Sequence, residues 1–278
     1  MRLDELLAGD LPGLRERPPA DAGPVEISAL AYDSRAAGPG SLFFCVTGFR
    51  SDGHDFALDA VRSGAAALVV ERPLGLGVPE VLVESARAAM APLAAAFYGH
   101  PDRELSVLAV TGTNGKTTSA YLMRALLEAT GTQCGLLGTV KSVIAGRPRE
   151  VARTTPEAID LQADLRAMLD GGDRACAIEV SSHALTLGRA DAIGFAAAVF
   201  TNMTRDHLDF HDSMEDYFQA KRLLFIPAAG PAPRVSVLNV ADPYGRRLAQ
   251  ELAGALTFAV DEPADYSARN LRCGLEGC

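Results

Sequence analysis

Residues 106–118 read Ser-Val-Leu-Ala-Val-Thr-Gly-Thr-Asn-Gly-Lys-Thr-Thr: an apolar run, a loop bounded by two glycines, then a lysine and two threonines. This order predicts a strand that turns tightly into a helix beginning near Lys116. A strand–loop–helix unit of this kind needs a crossover connection and so favours a parallel sheet. Gly112 and Gly115 leave the backbone open, so that loop N–H groups can approach an anion without a side chain between them. Lys116 suits β- and γ-phosphates, and the Thr117 hydroxyl suits Mg²⁺. The helix adds the positive end of its dipole. Gly112, Thr113, Asn114, Gly115, Lys116, Thr117 and Thr118 are therefore the candidate ATP-phosphate residues. The usual pattern, G-x-x-x-x-G-K-[ST], has a further glycine where this chain has Val110.

Apolar segments on either side of the loop alternate between strand and helix character. Strands are expected at 27–32, 42–47, 66–70, 80–83, 106–110, 133–140, 174–180, 195–200, 235–240 and 255–260. Helices are expected at 55–63, 85–97, 116–129, 156–169, 214–225 and 243–253. The turn cluster Gly99-His100-Pro101-Asp102 marks a boundary. The expectation is an α/β chain of two domains: a small α/β domain over 1–99, then a phosphate-loop domain with a mainly parallel sheet over 100–278, incomplete at its C-terminal end. In such sheets ligands sit beyond the carboxyl ends of the strands.

The formal net charge of -9 argues against nonspecific nucleic-acid binding, which needs phosphate-neutralising cations. An anionic ligand must then be held by local groups. The five cysteines show no CxxC spacing and are odd in number, which fits a reducing cytoplasm. The N-terminus does not read as a signal peptide. The Ala-rich stretch 86–98, interrupted by Arg87 and Pro92, is too short to cross a bilayer.

Several motifs together resemble the Mur ligase superfamily, which joins carboxylates to amines at the expense of ATP. Thr111–Thr118 resembles its ATP loop, a form also found in folylpolyglutamate and cyanophycin synthetases. Ala31-Tyr32-Asp33-Ser34-Arg35, Pro39-Gly40-Ser41-Leu42-Phe43-Phe44 and Thr47-Gly48 look like the family's N-terminal domain, which binds UDP-N-acetylmuramoyl peptides. Thr154-Thr155-Pro156, Glu179-Val180-Ser181-Ser182-His183-Ala184-Leu185 and Thr201-Asn202-Met203-Thr204-Arg205-Asp206-His207-Leu208-Asp209-Phe210-His211 are similar to its MurE-type branch, which adds the third residue of the peptidoglycan stem peptide. The similarity runs in order from about residue 27 to 270.

The residues themselves and the resemblance carry different parts of the site. Glu179 ends a buried strand, where a carboxylate is either paired or metal-bound. The topological nearness of Thr117 favours Mg²⁺, and the resemblance supports that reading. Taken alone, His207 is a histidine in an acidic loop; the resemblance makes it a residue that helps hold a second Mg²⁺, whereas His211 stays structural. By periodicity Lys221 is a solvated helical lysine. The resemblance makes it a carbamylated lysine, an oxygen-donor anion where an ammonium would repel Mg²⁺. The implied catalytic set is Lys116, Lys221 and His207, and the implied metal set is Thr117, Glu179, His207 and Lys221. Ser34, Thr154, Thr155, Ser181 and Arg189 match positions that hold the UDP-muramoyl dipeptide, and Asn202 is expected to orient the nucleotide or metal. Asn239 begins a segment resembling the family's N-x-D-D near adenine, with Ala241 in place of the first Asp.

The resemblance thus implies a cytoplasmic, monomeric ligase using ATP and Mg²⁺. It would add meso-diaminopimelate, through an acyl phosphate, to UDP-N-acetylmuramoyl-L-alanyl-D-glutamate, with neither nucleic acid nor membrane as partner. The family's C-terminal domain has no counterpart here, so a fragment of a longer ligase is expected rather than a stand-alone protein. The competing readings are a noncatalytic ATP or UDP-muramoyl-peptide binder, and another Mur or folylpolyglutamate-type ligase.

Overall fold

The structure is a computed structural model that describes residues 1–19, 23–48, 51–228 and 230–272. It divides into two compact units, Met1–His100 with Glu157–Ala163, and Pro101–Pro156 with Asp164–Cys278.

In the first unit the described elements are α1 (Leu3–Leu6), β1 (Leu14–Glu16), β2 (Ala29–Ala31), β3 (Ser41–Phe44), α2 (Ala57–Arg62), β4 (Ala67–Val70), β5 (Glu80–Val83) and α3 (Ala86–Phe97). The sheet order is β1-β5-β4-β3-β2. The last four strands in that order pair in parallel, and β1 joins β5 antiparallel. Every residue of β3 and β4 is buried. That explains their unbroken apolar runs, which mark strands covered on both faces. Helix α3 runs through Pro92. An interior proline costs a helix about 3 kcal/mol, and here seven buried residues, Met90 and Leu93 among them, offset it. His54 pins the neighbouring turn. Its Nε2 accepts from the Glu71 N–H at 2.9 Å, so Nδ1 carries the proton and donates to Asp52 at 2.6 Å.

The second unit holds β6 (Ser106–Thr111), α4 (Lys116–Ala129), β7 (Cys134–Leu137), β8 (Ser142–Ile144), β9 (Arg147–Arg149), β10 (Ala175–Glu179), α6 (Ser182–Thr186), β11 (Phe195–Phe200), α7 (Met214–Arg222), β12 (Val235–Asn239), α8 (Pro243–Glu251), β13 (Leu256–Val260) and β14 (Tyr266–Ala268). Helix α5 (Ala158–Asp170) precedes β10, and its first turns group with the first unit. The sheet order is β14-β13-β12-β11-β6-β10-β7-β8-β9. All neighbours from β14 to β7 are parallel, and β8 and β9 are antiparallel additions. Val110, Leu136, Ala175 and Ala177 pack under Ala120, Tyr121, Met123 and Leu127 of α4.

This order places a switch point. From β6 the chain leaves through α4 toward β7, on one side, and from neighbouring β11 it leaves through α7 toward β12, on the other. The carboxyl ends of β6 and β11 therefore flank a crevice of the kind in which open α/β sheets bind ligands.

The structure corrects several expectations. The strand expected at 27–32 is confined to Ala29–Ala31, and the one at 133–140 ends at Leu137, where Gly138 and Thr139 turn toward Glu179. The helix expected over 214–225 ends at Arg222, and the first turn of 55–63 is part of a 3-10 segment, Gly53–Phe56. The β8–β9 hairpin was not anticipated. Its two-residue turn has Ala145 and Gly146 at φ 50 and 72. Both central φ angles are positive, as a type I′ turn requires, yet Ala145 replaces the Asn or Asp that usually signals one. Its N–H is held by Asp173 Oδ2 at 2.9 Å. Among the described residues no helix is long and apolar enough to cross a membrane.

Candidate active site

Thr111 ends β6, and the chain turns through Gly112, at φ 148, and Gly115, at φ 84, into α4. A Cβ on Gly112 would strike the Thr201 side chain and lie 3.1 Å from the Asn202 nitrogen, so glycine is required there. Asn202 braces the loop. Its carbonyl accepts from Thr113 N–H at 2.8 Å, its Oδ1 accepts from Asn114 N–H at 3.0 Å, and its Nδ2 donates to Asn114 O at 3.1 Å. The Thr201 hydroxyl donates to Asn114 O at 2.6 Å. No side chain caps α4, and Thr118 lies exposed in its first turn. Helix starts leave N–H groups without intrahelical partners, and these suit an anion.

Lys116 Nζ donates to Gly112 O at 2.9 Å and to Thr113 O at 2.8 Å. Lys221 Nζ donates to the same Gly112 carbonyl at 2.9 Å. The solvated lysine expected from helical periodicity is instead 1% exposed. Its amine lies 4.4 Å from the Tyr217 ring centre. Burial, reinforced by the charge of Lys116, lowers its pKa to about 7. Burial also lowers the pKa of Lys116, against the opposing pull of Glu179 and Asp206.

Glu179, fully buried at the end of β10, receives the Thr117 hydroxyl at 2.9 Å, the Thr139 N–H at 2.9 Å and the Thr139 hydroxyl at 3.0 Å. Because Thr139 gives its proton to the carboxylate, the 3.1 Å contact with Thr154 has Thr154 Oγ1 as donor. Thr155 donates to the Glu179 carbonyl at 2.9 Å and accepts from Ser181 N–H at 3.2 Å. Ser181 caps α6, and Arg189 donates to Thr155 O at 3.4 Å.

Two histidines, His183 and His207, face the cavity, with His211 buried behind them. His183 stacks on Phe210 with ring centres 4.0 Å apart and meets His207 edge to face at 4.9 Å. His211 is buried and bonds Ser182 Oγ through Nε2 at 2.9 Å, a structural position. His207 has φ 52, and its N–H is held by Asp206 at 2.9 Å. Burial first, then neighbouring positive charge, lowers the pKa of His183 and His211.

Lys116, Thr139, Thr154, Thr155, Ser181, Ser182, His183, Arg189, His207 and Lys221 line one cavity of about 320 Å³. A larger cavity of about 400 Å³ opens in the first unit around Leu3, Leu7, Arg17 and Pro24, without such a convergence of polar groups. Ser34 belongs to the first unit, in the 3-10 turn Ser34–Ala36. Asn239 uses both ends of its amide locally, donating to Thr201 O at 2.7 Å and accepting from Ala241 N–H at 3.1 Å. Thr139, His183 and Tyr217 were not singled out by sequence reasoning. Thr139 lies two residues past the end of β7, the strand that neighbours β10, inside the longer strand expected at 133–140.

The donors suit a small hard cation. Thr117 and Glu179 offer adjacent oxygens, and among the described residues no three His, Cys, Asp or Glu side chains converge as a metal cage. Mg²⁺ typically takes one or two protein oxygens and completes its shell with water and phosphate.

Residues 110–278 match the description "Mur ligase middle domain", and residues 26–98 match "Mur ligase family, catalytic domain". A Geobacillus kaustophilus (strain HTA426) protein described as UDP-N-acetylmuramoyl-L-alanyl-D-glutamate--2,6-diaminopimelate ligase is 46% identical over 255 residues, 90% of this chain and 52% of that protein. A Streptomyces coelicolor protein of the same description is 45% identical over 263 residues, covering 92% of this chain and 51% of its own length. A solved structure with that description superposes with a TM-score of 0.81 at 27% identity, over 100% of this chain and 56% of the other. The chain spans about half the length of the curated relatives it matches.

Proposed function

The chain belongs to the Mur ligase family, and from that premise we propose that it serves the ATP-dependent ligation of meso-diaminopimelate to UDP-N-acetylmuramoyl-L-alanyl-D-glutamate. The observation that carries this reading is the convergence of Lys116, Lys221 and the Thr117–Glu179 pair at the mouth of one glycine-bounded loop. In this reading residues 1–99 take the UDP portion, with Ser34 among its contacts, and residues 100–278 take ATP. The protein is a cytoplasmic monomer, where its nucleotide substrates are dissolved.

Amide formation from a carboxylate and an amine is uphill in water. The D-glutamyl carboxylate first attacks the γ-phosphorus of ATP, releasing ADP and forming an acyl phosphate. The amine of the diamino acid then attacks the acyl carbon. The C–O bond breaks, inorganic phosphate leaves with the electron pair, and the amine proton passes to solvent. Loop N–H groups and Lys116 hold the transferring phosphoryl group. Thr154, Thr155, Ser181 and Arg189 hold the acyl substrate, Arg189 as the carboxylate partner, while Asn202 keeps the loop in shape and Asn239 steadies the strand ends beside it. Mg²⁺, when bound, neutralises charge on the phosphates, with Thr117, Glu179, His207 and modified Lys221 as its protein-side groups.

The physics of Lys221 supports its modification. A buried amine with a pKa near 7 is substantially unprotonated at neutral pH. It can add to CO₂, giving a carbamate and a proton, and the product is an anionic oxygen donor. Intact mass after trapping of the carbamate checks this: Lys221→Arg should show no CO₂ adduct.

The decisive assay is phosphate release from ATP in the presence of the UDP-muramoyl dipeptide and either meso-diaminopimelate or lysine. Release is expected with diaminopimelate, and Lys116→Ala should abolish it. Undiminished turnover in Lys116→Ala would overturn the assignment.

A further inference from the structure

Glu179 feels the charge of Lys116, but all three described hydrogen bonds to its carboxylate come from Thr117 and Thr139. These two threonines face different tasks. A hydroxyl that lends a lone pair to a cation keeps its proton, so Thr117 would serve the cation and Glu179 together, whereas Thr139 serves the carboxylate alone. Thr139 supplies the remaining described donors to the carboxylate, its N–H on Oε1 and its hydroxyl on Oε2. Gly138 makes this grip possible, because a Cβ there would collide with Glu179 Oε1. Thr139 also receives the Thr154 hydroxyl, so the carboxylate is linked through it to a residue of the acyl-substrate wall.

We propose that Thr139 is a positioning residue: its hydroxyl fixes the Glu179 carboxylate for the divalent cation and ties that carboxylate to the substrate-holding Thr154. The inference rests on the ligase reading given above and adds a residue to its site. Groups that orient metal-ligating carboxylates commonly change cation affinity when removed, although they never touch the cation.

Thr139→Val keeps the shape and the backbone N–H but deletes the hydroxyl, and Thr139→Ser restores it. The probe is Mn²⁺, followed by electron paramagnetic resonance in the presence of a non-hydrolysable ATP analogue. Affinity for the analogue alone is measured in parallel, in chelator. Thr139→Val should weaken Mn²⁺ binding by about 10–100-fold, leave metal-free nucleotide binding within about twofold of wild type, and be rescued by Thr139→Ser. Equal Mn²⁺ affinity in Thr139→Val and wild type would overturn the role of Thr139 and leave the ligase reading standing. Loss in Thr139→Ser as deep as in Thr139→Val would overturn it too, by showing that restoring the hydroxyl does not restore the cation. A wild-type chain that binds neither nucleotide nor Mn²⁺ would overturn both.

Discussion

Lys221 shows what a single residue can cost a fold. Its ammonium would sit 1% exposed, sharing one carbonyl with a second lysine. Burial lowers its pKa from 10.5 to about 7. Between those values the folded protein binds fewer protons than the unfolded chain, so stability contributed at this position rises with pH across the window. Below about 7 the ammonium is charged in both states and the penalty is complete. Lys221→Met should therefore be more stable than wild type at low pH, by about 1–4 kcal/mol as for other buried charges replaced by apolar residues, and the gap should close as pH rises. Urea unfolding in bicarbonate-free buffer on either side of the window checks this, and a gap independent of pH would refute it. On the ligase reading proposed above, the same variant should have no turnover. Periodicity alone concealed this residue: a lysine four positions after Tyr217 on an amphipathic helix looks solvated, and only the tertiary approach of Gly112 shows otherwise. Glu179 was more legible, because a carboxylate closing an apolar strand already demands a partner.

At the scale of elements, α8 depends on Asp242. Its Oδ1 accepts from Tyr244 and Gly245 N–H at 2.9 and 3.2 Å, and its Oδ2 accepts from Met203 N–H at 2.9 Å. One carboxylate thus caps a helix and anchors the loop that follows β11. Asp242→Ala should lose about 1–2 kcal/mol from the cap and also loosen residues 203–207, next to the phosphate loop. Asp242→Asn can keep the acceptor for the cap but turns an amide donor toward Met203 N–H, so it should recover the cap's share of the stability and not the anchor's. Thermal melts and nucleotide titrations of both variants check this, and equal stability of Asp242→Ala and wild type would sink it. The resemblance sets the segment containing Asp242 near adenine, and the structure shows Asp242 capping α8. Strand β6 and helix α4 were legible because an apolar run, two glycines and a lysine point to one local structure. The β8–β9 hairpin was not, because Ala145 adopts a left-handed conformation that its type does not advertise. Helix α3 was expected over 85–97 and is found there, its interior Pro92 offset by burial of residues such as Met90 and Leu93.

At the scale of the whole molecule, the formal net charge is -9, while Lys116, Lys221 and Arg189 line the candidate site. The two act over different distances. The Debye length is about 30 Å at 0.01 M salt and about 8 Å at 0.15 M. At low salt an approaching nucleotide feels the repulsive field of the entire acidic surface, and Lys116 and Arg189 attract it only once it is close. Raising salt across that range should therefore increase the association rate of a metal-free fluorescent ATP analogue, by a few-fold. The dissociation rate should change less, because the loop N–H groups and Lys116 hold phosphate within the cavity, where mobile ions screen poorly. Lys116→Ala should raise the dissociation rate while keeping the positive salt dependence of association. Stopped-flow traces at several salt concentrations separate the two rates. An association rate that falls with salt would show that the local cations steer from a distance and outweigh the global charge, reversing the division of labour argued here.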